Sequence, residues 1–348
     1  MPPRSWDHTA QLNSQWSHPG AMNSPVESLP TGYSASLATE TDAPQVADLI
    51  AEYYRQLGLD RGLTPGEARA ILRADRDDET RCTLVVCNAQ ELSAVAHIRA
   101  VRPHLRAIMV RGYVSLRNRG IGIGTYIAHW ALSIAAGIAT HSSLDGQVAL
   151  RQRLSSRDIP ARELLVKEGY RLRRTIHQME MSLSREELKL PRETRIKLRA
   201  FDLARDYEEY VRLAREVNSE NPAYVRCSLE EDLARYKPGV LAAIDTDCSL
   251  FAIARTTSSL VGYCIAEIKR KEAGSVGRIC GFGVGNQYRR RGVGAQLLVS
   301  VLAQLLSRGV ECVVLHVDRD NSPAAFRLYS SMGMQVTESD VVYEREIE

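Results

Sequence analysis

The chain has 348 residues, 44% hydrophobic and 25% charged, with 45 Lys plus Arg against 42 Asp plus Glu. Such a length suits two ordinary domains, and such a composition lies away from the disordered and fibrous extremes. A formal charge of +3 supplies no strong global field for nucleic acid or an acidic membrane surface, so an anion site has to be local.

Residues 1–33 are rich in Pro, Ser, His and Asn and have no apolar segment, so they read as a disordered tail. They resemble neither a signal peptide nor a membrane anchor, Met22 is an alternative start, and the expected location is cytoplasmic. An alternating stretch at 33–39 then leads through Asp42 into an amphipathic helix carrying Val46, Leu49, Ile50 and Tyr53, and Thr64-Pro65 opens a second helix. Strand-like runs follow at 82–87, 92–99 and 106–114, and a glycine-rich turn leads into a long apolar helix that is too short to span a bilayer. The order is β-α-α-β-β-β-α.

That order recurs. Residues 194–200 read as a strand, 203–217 and 229–235 as helices, 249–254, 260–270 and 276–284 as strands, and 294–307 as a helix stopped by Gly309. A buried strand at 311–317, a short helix at 322–332 and segments near Gln335 and at 341–347 complete it. An internal repeat constrains the fold before any motif is consulted. The polar stretch 184–195, with Pro191 inside it, marks a junction near Leu188, which gives a tail at 1–33, a first domain at 34–188 and a second at 189–348. Seven cysteines without a CxxC pair read as reduced core residues, and no cluster has metal-ligand spacing.

After the strand at 276–284 comes Arg289-Arg290-Arg291-Gly292-Val293-Gly294-Ala295, and then an apolar helix. Glycines allow a tight turn with exposed N–H groups, the helix N-terminus adds partial positive charge, and the arginines add formal charge, so the turn suits a pyrophosphate. The spacing fits neither GxGxxG nor a P-loop.

Arg289-x-x-Gly292-x-Gly294 in this setting resembles the acyl-CoA loop of the GNAT acetyltransferases, and Asn321, the small-residue helix, Tyr329 and Gly333 resemble that family's later signature. The resemblance implies an α/β (α+β) fold of two tandem GNAT domains, each with a twisted, mixed, mainly antiparallel sheet flanked by helices. It also implies acetyl-CoA, or another short acyl-CoA, as the cofactor, with direct attack by an amine in a ternary complex. Tyr329 matches the general acid, the backbone of Phe282 and Val284 the pantetheine contacts, and Asn321 a further CoA contact. Glu267 is the candidate base, with a surface carboxylate as the alternative reading, and His316 is a relay or a core histidine.

The first repeat has its own turn, Arg117-Asn118-Arg119-Gly120-Ile121-Gly122, read as a second acyl-CoA loop or as a relic that keeps only its turn. Aligning Gly169 with Gly333 puts Leu165 where the second repeat has Tyr329, and leucine has no proton to donate. The first domain is therefore expected to bind ligand or support the fold, and the second to catalyse.

Two-repeat members of this superfamily include mycothiol synthase and antibiotic-cluster proteins. The expected partner is a small-molecule amine, an antibiotic or other secondary metabolite, with no nucleic acid and no membrane. The alternatives are acetylation of a protein lysine or N-terminus, and a non-catalytic acyl-CoA sensor.

Overall fold

A computed structural model describes residues 28–76, 81–100, 107–141, 148–184, 188, 196–219, 227–235, 245–271, 274–318, 320 and 323–347. They fall into two compact units, Met1–Arg174 with Val341–Glu348, and Thr175–Asp340.

The first unit contains β1 (Ser34–Leu37), α1 (Ala43–Gln56), α2 (Pro65–Arg76), β2 (Arg81–Cys87), β3 (Leu92–Ala100), β4 (Ala107–Val114), α3 (Ile123–His141), β5 (Val148–Ser155) and α4 (Ile159–Lys167). Strands β1 to β4 pair antiparallel and β5 joins β4 in parallel. One face packs under α1 and α2 through Val85, Val95 and Tyr113; the other packs under α3 and α4 through Ile98, Ile108 and Val110. Side chains alternate across a strand, so each strand serves both cores. Leu29 and Tyr33 pack against the second of these cores, so residues 28–33 belong to the folded unit rather than to a disordered tail.

The second unit repeats the plan with β7 (Ile196–Ala200), α5 (Leu203–Asn218), α6 (Leu229–Arg235), β8 (Leu250–Ala254), β9 (Leu260–Lys271), β10 (Gly274–Val284), α7 (Val293–Ser307), β11 (Cys312–Asp318) and α8 (Pro323–Ser331). Helix α7 buries Leu297, Leu298, Val301, Leu302 and Leu305, an i, i+4 stripe of side chains worth roughly 1.5–3 kcal/mol each when buried. It ends where Gly309 turns left-handed (φ +77°) and Val310 N–H donates to the Leu305 carbonyl at 3.1 Å.

The sequence places the junction near Leu188, whereas contacts divide the chain at 174/175 and again at 340/341. Strand β6 (Arg171–Ser182) pairs antiparallel with β11 from Ile176 to Ser182, and Met179, Met181 and Leu183 enter the second unit's core. Strand β12 (Gln335–Ile347) sends Val341 and Tyr343 into the first unit's core. Each repeat is thus completed by a strand that follows the other in sequence. Period-2 alternation identifies both strands but carries no information about which sheet edge accepts them.

Candidate functional site

Strands β10 and β11 pair in parallel from Val276↔Cys312 to Ile279↔Leu315, and the pairing stops there although both strands continue. A fork opens beyond it. Strand β10 stays paired with β9 as far as Val284↔Gly262, with a bulge between Ile279 and Gly281 that leaves Cys280 out of register. A bulge disrupts the ladder and re-aims backbone groups beside a site. At the same fork, β11 offers no residue in register with Phe282 or Val284, so one side of that backbone is open to a ligand.

At the end of β10 the chain makes a short 3-10 turn (Asn286–Tyr288) and then the arginine-glycine loop. Arg290 and Gly292 are both left-handed, at φ +59° and +80°, and Val293, the first residue of α7, is buried. Left-handed residues in a turn that opens a helix can aim backbone N–H groups at one concavity, which suits an anion. The three arginines divide the work. Arg289 donates from Nε to the Val284 carbonyl at 3.1 Å and ties the loop to the strand, Arg291 lies 5.9 Å over the Tyr288 ring, and Arg290 is exposed. A Cβ on Gly294 would meet Phe282 Cζ at 3.1 Å, so glycine lets α7 close onto that ring, and Ala295 follows as a half-buried helix residue.

Tyr329, on α8, is buried, and its ring stands edge-on to Phe282 with centroids 5.8 Å apart. Burial, with the Cys264 thiol as a smaller influence, pushes its pKa well above the ordinary phenol value. Its hydroxyl makes no hydrogen bond among the described residues. Asn321 lies outside the described residues.

Glu267 stands on the opposite face of the sheet, the α5 side, where Arg278 Nη1 holds its carboxylate at 3.1 Å and Lys269 lies 3.9 Å away. Burial and then Glu267 raise the neighbouring Cys280 thiol to about 11. His316 is exposed on β11 rather than buried in the core.

In the first unit the fork recurs: β4 and β5 pair only from Ala107↔Ala149 to Val110↔Gln152. Its loop aligns differently from the sequence reading. Arg119, not Arg117, donates from Nε to the strand end, at 3.3 Å to the Val114 carbonyl, and Tyr126 N–H bonds Gly122 as Gln296 N–H bonds Gly292. The positions equivalent to Arg289, Gly292 and Gly294 are therefore Arg119, Gly122 and Gly124, with Gly120 (φ +77°) matching Arg290. Arg117, Gly120, Ile121 and Gly122 are exposed, and no heavy atom lies within 4 Å of a Cβ built on Gly120 or Gly122. Asn118, in contrast, is buried, accepting from Tyr33 Oη at 2.6 Å and donating to Ser115 Oγ at 2.7 Å.

Counting residues from the strand end, rather than matching glycines, would have found Ile123 and Gly124. Asp158 carries no such signal. Its side chain, 1% exposed, accepts two hydrogen bonds from Arg119 at 2.9 Å and one from Tyr53 at 2.7 Å. Burial first, then Asp158, drives the Tyr53 pKa far up. Leu165 is buried at the place of Tyr329: Tyr170 N–H bonds the Leu165 carbonyl at 2.9 Å as Met334 N–H bonds that of Tyr329 at 3.1 Å.

Residues 207–334 match the Acetyltransferase (GNAT) family. A mycothiol acetyltransferase of Thermobispora bispora is 31% identical over 153 residues, 43% of this chain and 50% of the relative, so the match spans half of that protein. Another, of Acidothermus cellulolyticus, is 25% identical over 324 residues, 88% of each chain. Among solved structures, a GCN5-related N-acetyltransferase from Sphaerobacter thermophilus superposes with a TM-score of 0.74 at 25% identity, over 92% of this chain and 98% of that one. A tandem GNAT protein from the clavulanic acid biosynthesis pathway superposes at 0.69 and 14% identity, over 91% and 99%. No helix among the described residues is long and apolar enough to cross a membrane. The chain has the fold of tandem GNAT proteins, and residues 207–334 of its second repeat match the acetyltransferase domain of the GNAT family.

Proposed function

We propose that the second unit transfers an acetyl group to the amine of a small molecule at the β10–β11 fork. The observation that carries this reading is the placement of Tyr329, a buried tyrosine whose hydroxyl has no hydrogen-bond partner among the described residues, one ring away from Phe282 at the open strand edge. The loop fits the pyrophosphate of acetyl-CoA by its alternating left-handed residues and local positive charge. Acetyl-CoA supplies the thioester carbonyl that the amine attacks.

The loop N–H groups and Arg290 hold the phosphates, and the backbone of Phe282 and Val284 aligns the pantetheine arm. As the C–N bond forms and the C–S bond breaks, Tyr329 Oη donates its proton to the departing sulfur. Glu267 is the proposed base. It faces the α5 side while Tyr329 serves the α7 side, so proton removal and delivery proceed from opposite faces of the sheet. Asn321 is retained as a proposed CoA contact from its place before α8.

The first loop is proposed to take acetyl-CoA more weakly, because its arginine is already paired with the buried Asp158. Its unit then serves binding or support, since Leu165 offers no acid. The relatives are named for mycothiol, so small thiol-bearing amines come first in a substrate screen, and antibiotic-type amines second.

Calorimetry of acetyl-CoA with the wild type, Gly292→Trp and Gly122→Trp, followed by the screen, tests the reading. Loss of the tighter site and of all turnover in Gly292→Trp alone is expected. Turnover surviving Gly292→Trp would refute it, and binding without turnover on any amine would favour an acyl-CoA sensor.

A further inference from the structure

The two forks follow one plan, so each residue of one has a counterpart in the other. Arg119 and Arg289 donate to the carbonyls of Val114 and Val284, which makes Gly112 the counterpart of Phe282. Directly paired residues share a face, so the rung under α3 carries Ala96 and Gly112 where the rung under α7 carries Cys264 and Phe282. In the second unit the Phe282 ring stands against Tyr329 and lies 3.1 Å from a Cβ built on Gly294. The first unit has Gly112 and Leu165 at these two places, so neither ring is present. Among the described residues, a Cβ on Gly112 would meet only Ile127 Cγ2 within 4 Å, at an ordinary 3.5 Å. Helix α4 recovers part of the space, since Leu164 Cδ2 would lie 2.8 Å from a Cβ on Gly124, against 3.5 Å for Leu328 Cδ2 from one on Gly294. The place of the two rings is thus bordered by aliphatic side chains, those of Ile127, Leu164 and Leu165.

The same fork lacks the parts that serve transfer. Strands β3 and β4 stay in register from Ala94↔Val114 to Ala100↔Ile108, without the bulge that displaces Cys280 in β10, and Leu165 has no proton to donate. Its α1 side is filled. Tyr53, Tyr54 and Tyr113 are buried there and pack edge-on with ring centroids 5.1–5.9 Å apart. Tyr53 is bonded to Asp158, and Arg157 Nη1 donates to the Leu57 and Gly58 carbonyls at 3.1 and 3.0 Å, which straps the end of α1 to the turn before α4. Such a fork suits holding an acyl-CoA better than reacting it with an acceptor.

We propose that the first fork is a binding site for an acyl-CoA whose aliphatic chain is longer than acetyl, and that Gly112 is the residue that admits the chain. The inference rests on the reading of the first loop as an acyl-CoA site and names the class of ester it takes. The chain lies across Gly112 against Ile127, Leu164 and Leu165, and each further buried CH2 tightens binding roughly fourfold. In the second fork the Phe282 ring stands at that place and restricts the ester to a short acyl group.

The test is calorimetry of the full-length Gly292→Trp variant, which leaves the first loop intact, with acetyl-CoA and with hexanoyl-CoA; Gly122→Trp/Gly292→Trp sets the background. Hexanoyl-CoA is expected to bind at least about tenfold more tightly than acetyl-CoA. Adding Gly112→Phe is expected to remove that preference while acetyl-CoA still binds, and the smaller Gly112→Val takes its place if the phenylalanine variant does not fold. Equal affinity for the two esters in Gly292→Trp overturns the proposal and leaves the reading of the loop intact. A preference for hexanoyl-CoA that survives Gly112→Phe, or that persists in the double loop variant, also overturns it, because the chain then lies elsewhere, for instance on the exposed Leu116 and Ile121. Binding of neither ester refutes the reading of the loop itself, and the proposal with it.

Discussion

Leu165 and Tyr329 stand at one position of a helix that the chain builds twice, and only Tyr329 has a proton to give. Tyr329→Phe should lower kcat by roughly 10²–10⁴-fold while leaving acetyl-CoA affinity within about twofold, measured by single-turnover kinetics and calorimetry. Because burial raises the phenol's pKa, its acid form persists beyond pH 10, so an alkaline fall in kcat below that pH has to come from another group. A kcat–pH profile of wild type that loses this limb on Tyr329→Phe would contradict the assignment. Asp206 shows the opposite shift. Its burial opposes ionisation, but hydrogen bonds from Arg199 and Arg205 and the Asp202 N–H outweigh it and hold the carboxyl at about 2. The folded value lies below the unfolded one of about 3.9, so the stabilisation is full above pH 4 to 5 and is lost as pH falls toward 2. Asp206→Asn should flatten the acid limb of stability over that window in urea titrations.

At the scale of elements, the two forks place an aromatic ring on the same rung from opposite strands. Tyr113 on β4 faces Val95 in the first unit, while Tyr263 on β9 faces Gly283 in the second. A Cβ on Gly283 would fall 2.7–2.9 Å from the Tyr263 ring, so each unit has room for one ring on that rung. Gly283→Ala should destabilise by about 1–3 kcal/mol. Adding Tyr263→Val should recover part of that loss, because the two residues contact and their effects do not add. Additive effects in a denaturant double-mutant cycle would show that the ring moves aside freely.

For the molecule as a whole, strand exchange makes the ends of the chain count in unexpected places. Val341, Val342 and Tyr343 are buried, and the segment 341–348 belongs to the first unit. Removing 341–348 should therefore expose the amides of β4 and β5 to hydrogen exchange before those of β9 and β10. Faster exchange in β9 and β10 alone would contradict the division. By the same reasoning, a fragment of residues 28–174 should fold only when 341–348 is appended.

The sequence by itself determined the elements, their repetition and the glycine turn of the second loop, because each depends on neighbours within a few residues. The apolar stripe of α7, the left-handed Gly292 and Gly309, and the spacing from Tyr329 to Gly333 are all local signals. It left open the register of the first loop, where three glycines at alternate positions permit two alignments, and where the bond from Arg119 to the end of β4 decides between them. It also gave no sign that Asn118 turns inward or that Asp158, 39 residues away, neutralises Arg119. Tertiary structure alone decided which sheet receives β6 and the end of β12, since an alternating strand fits any apolar edge of its length and the choice is made by the cores that Met179, Met181, Val341 and Tyr343 fill.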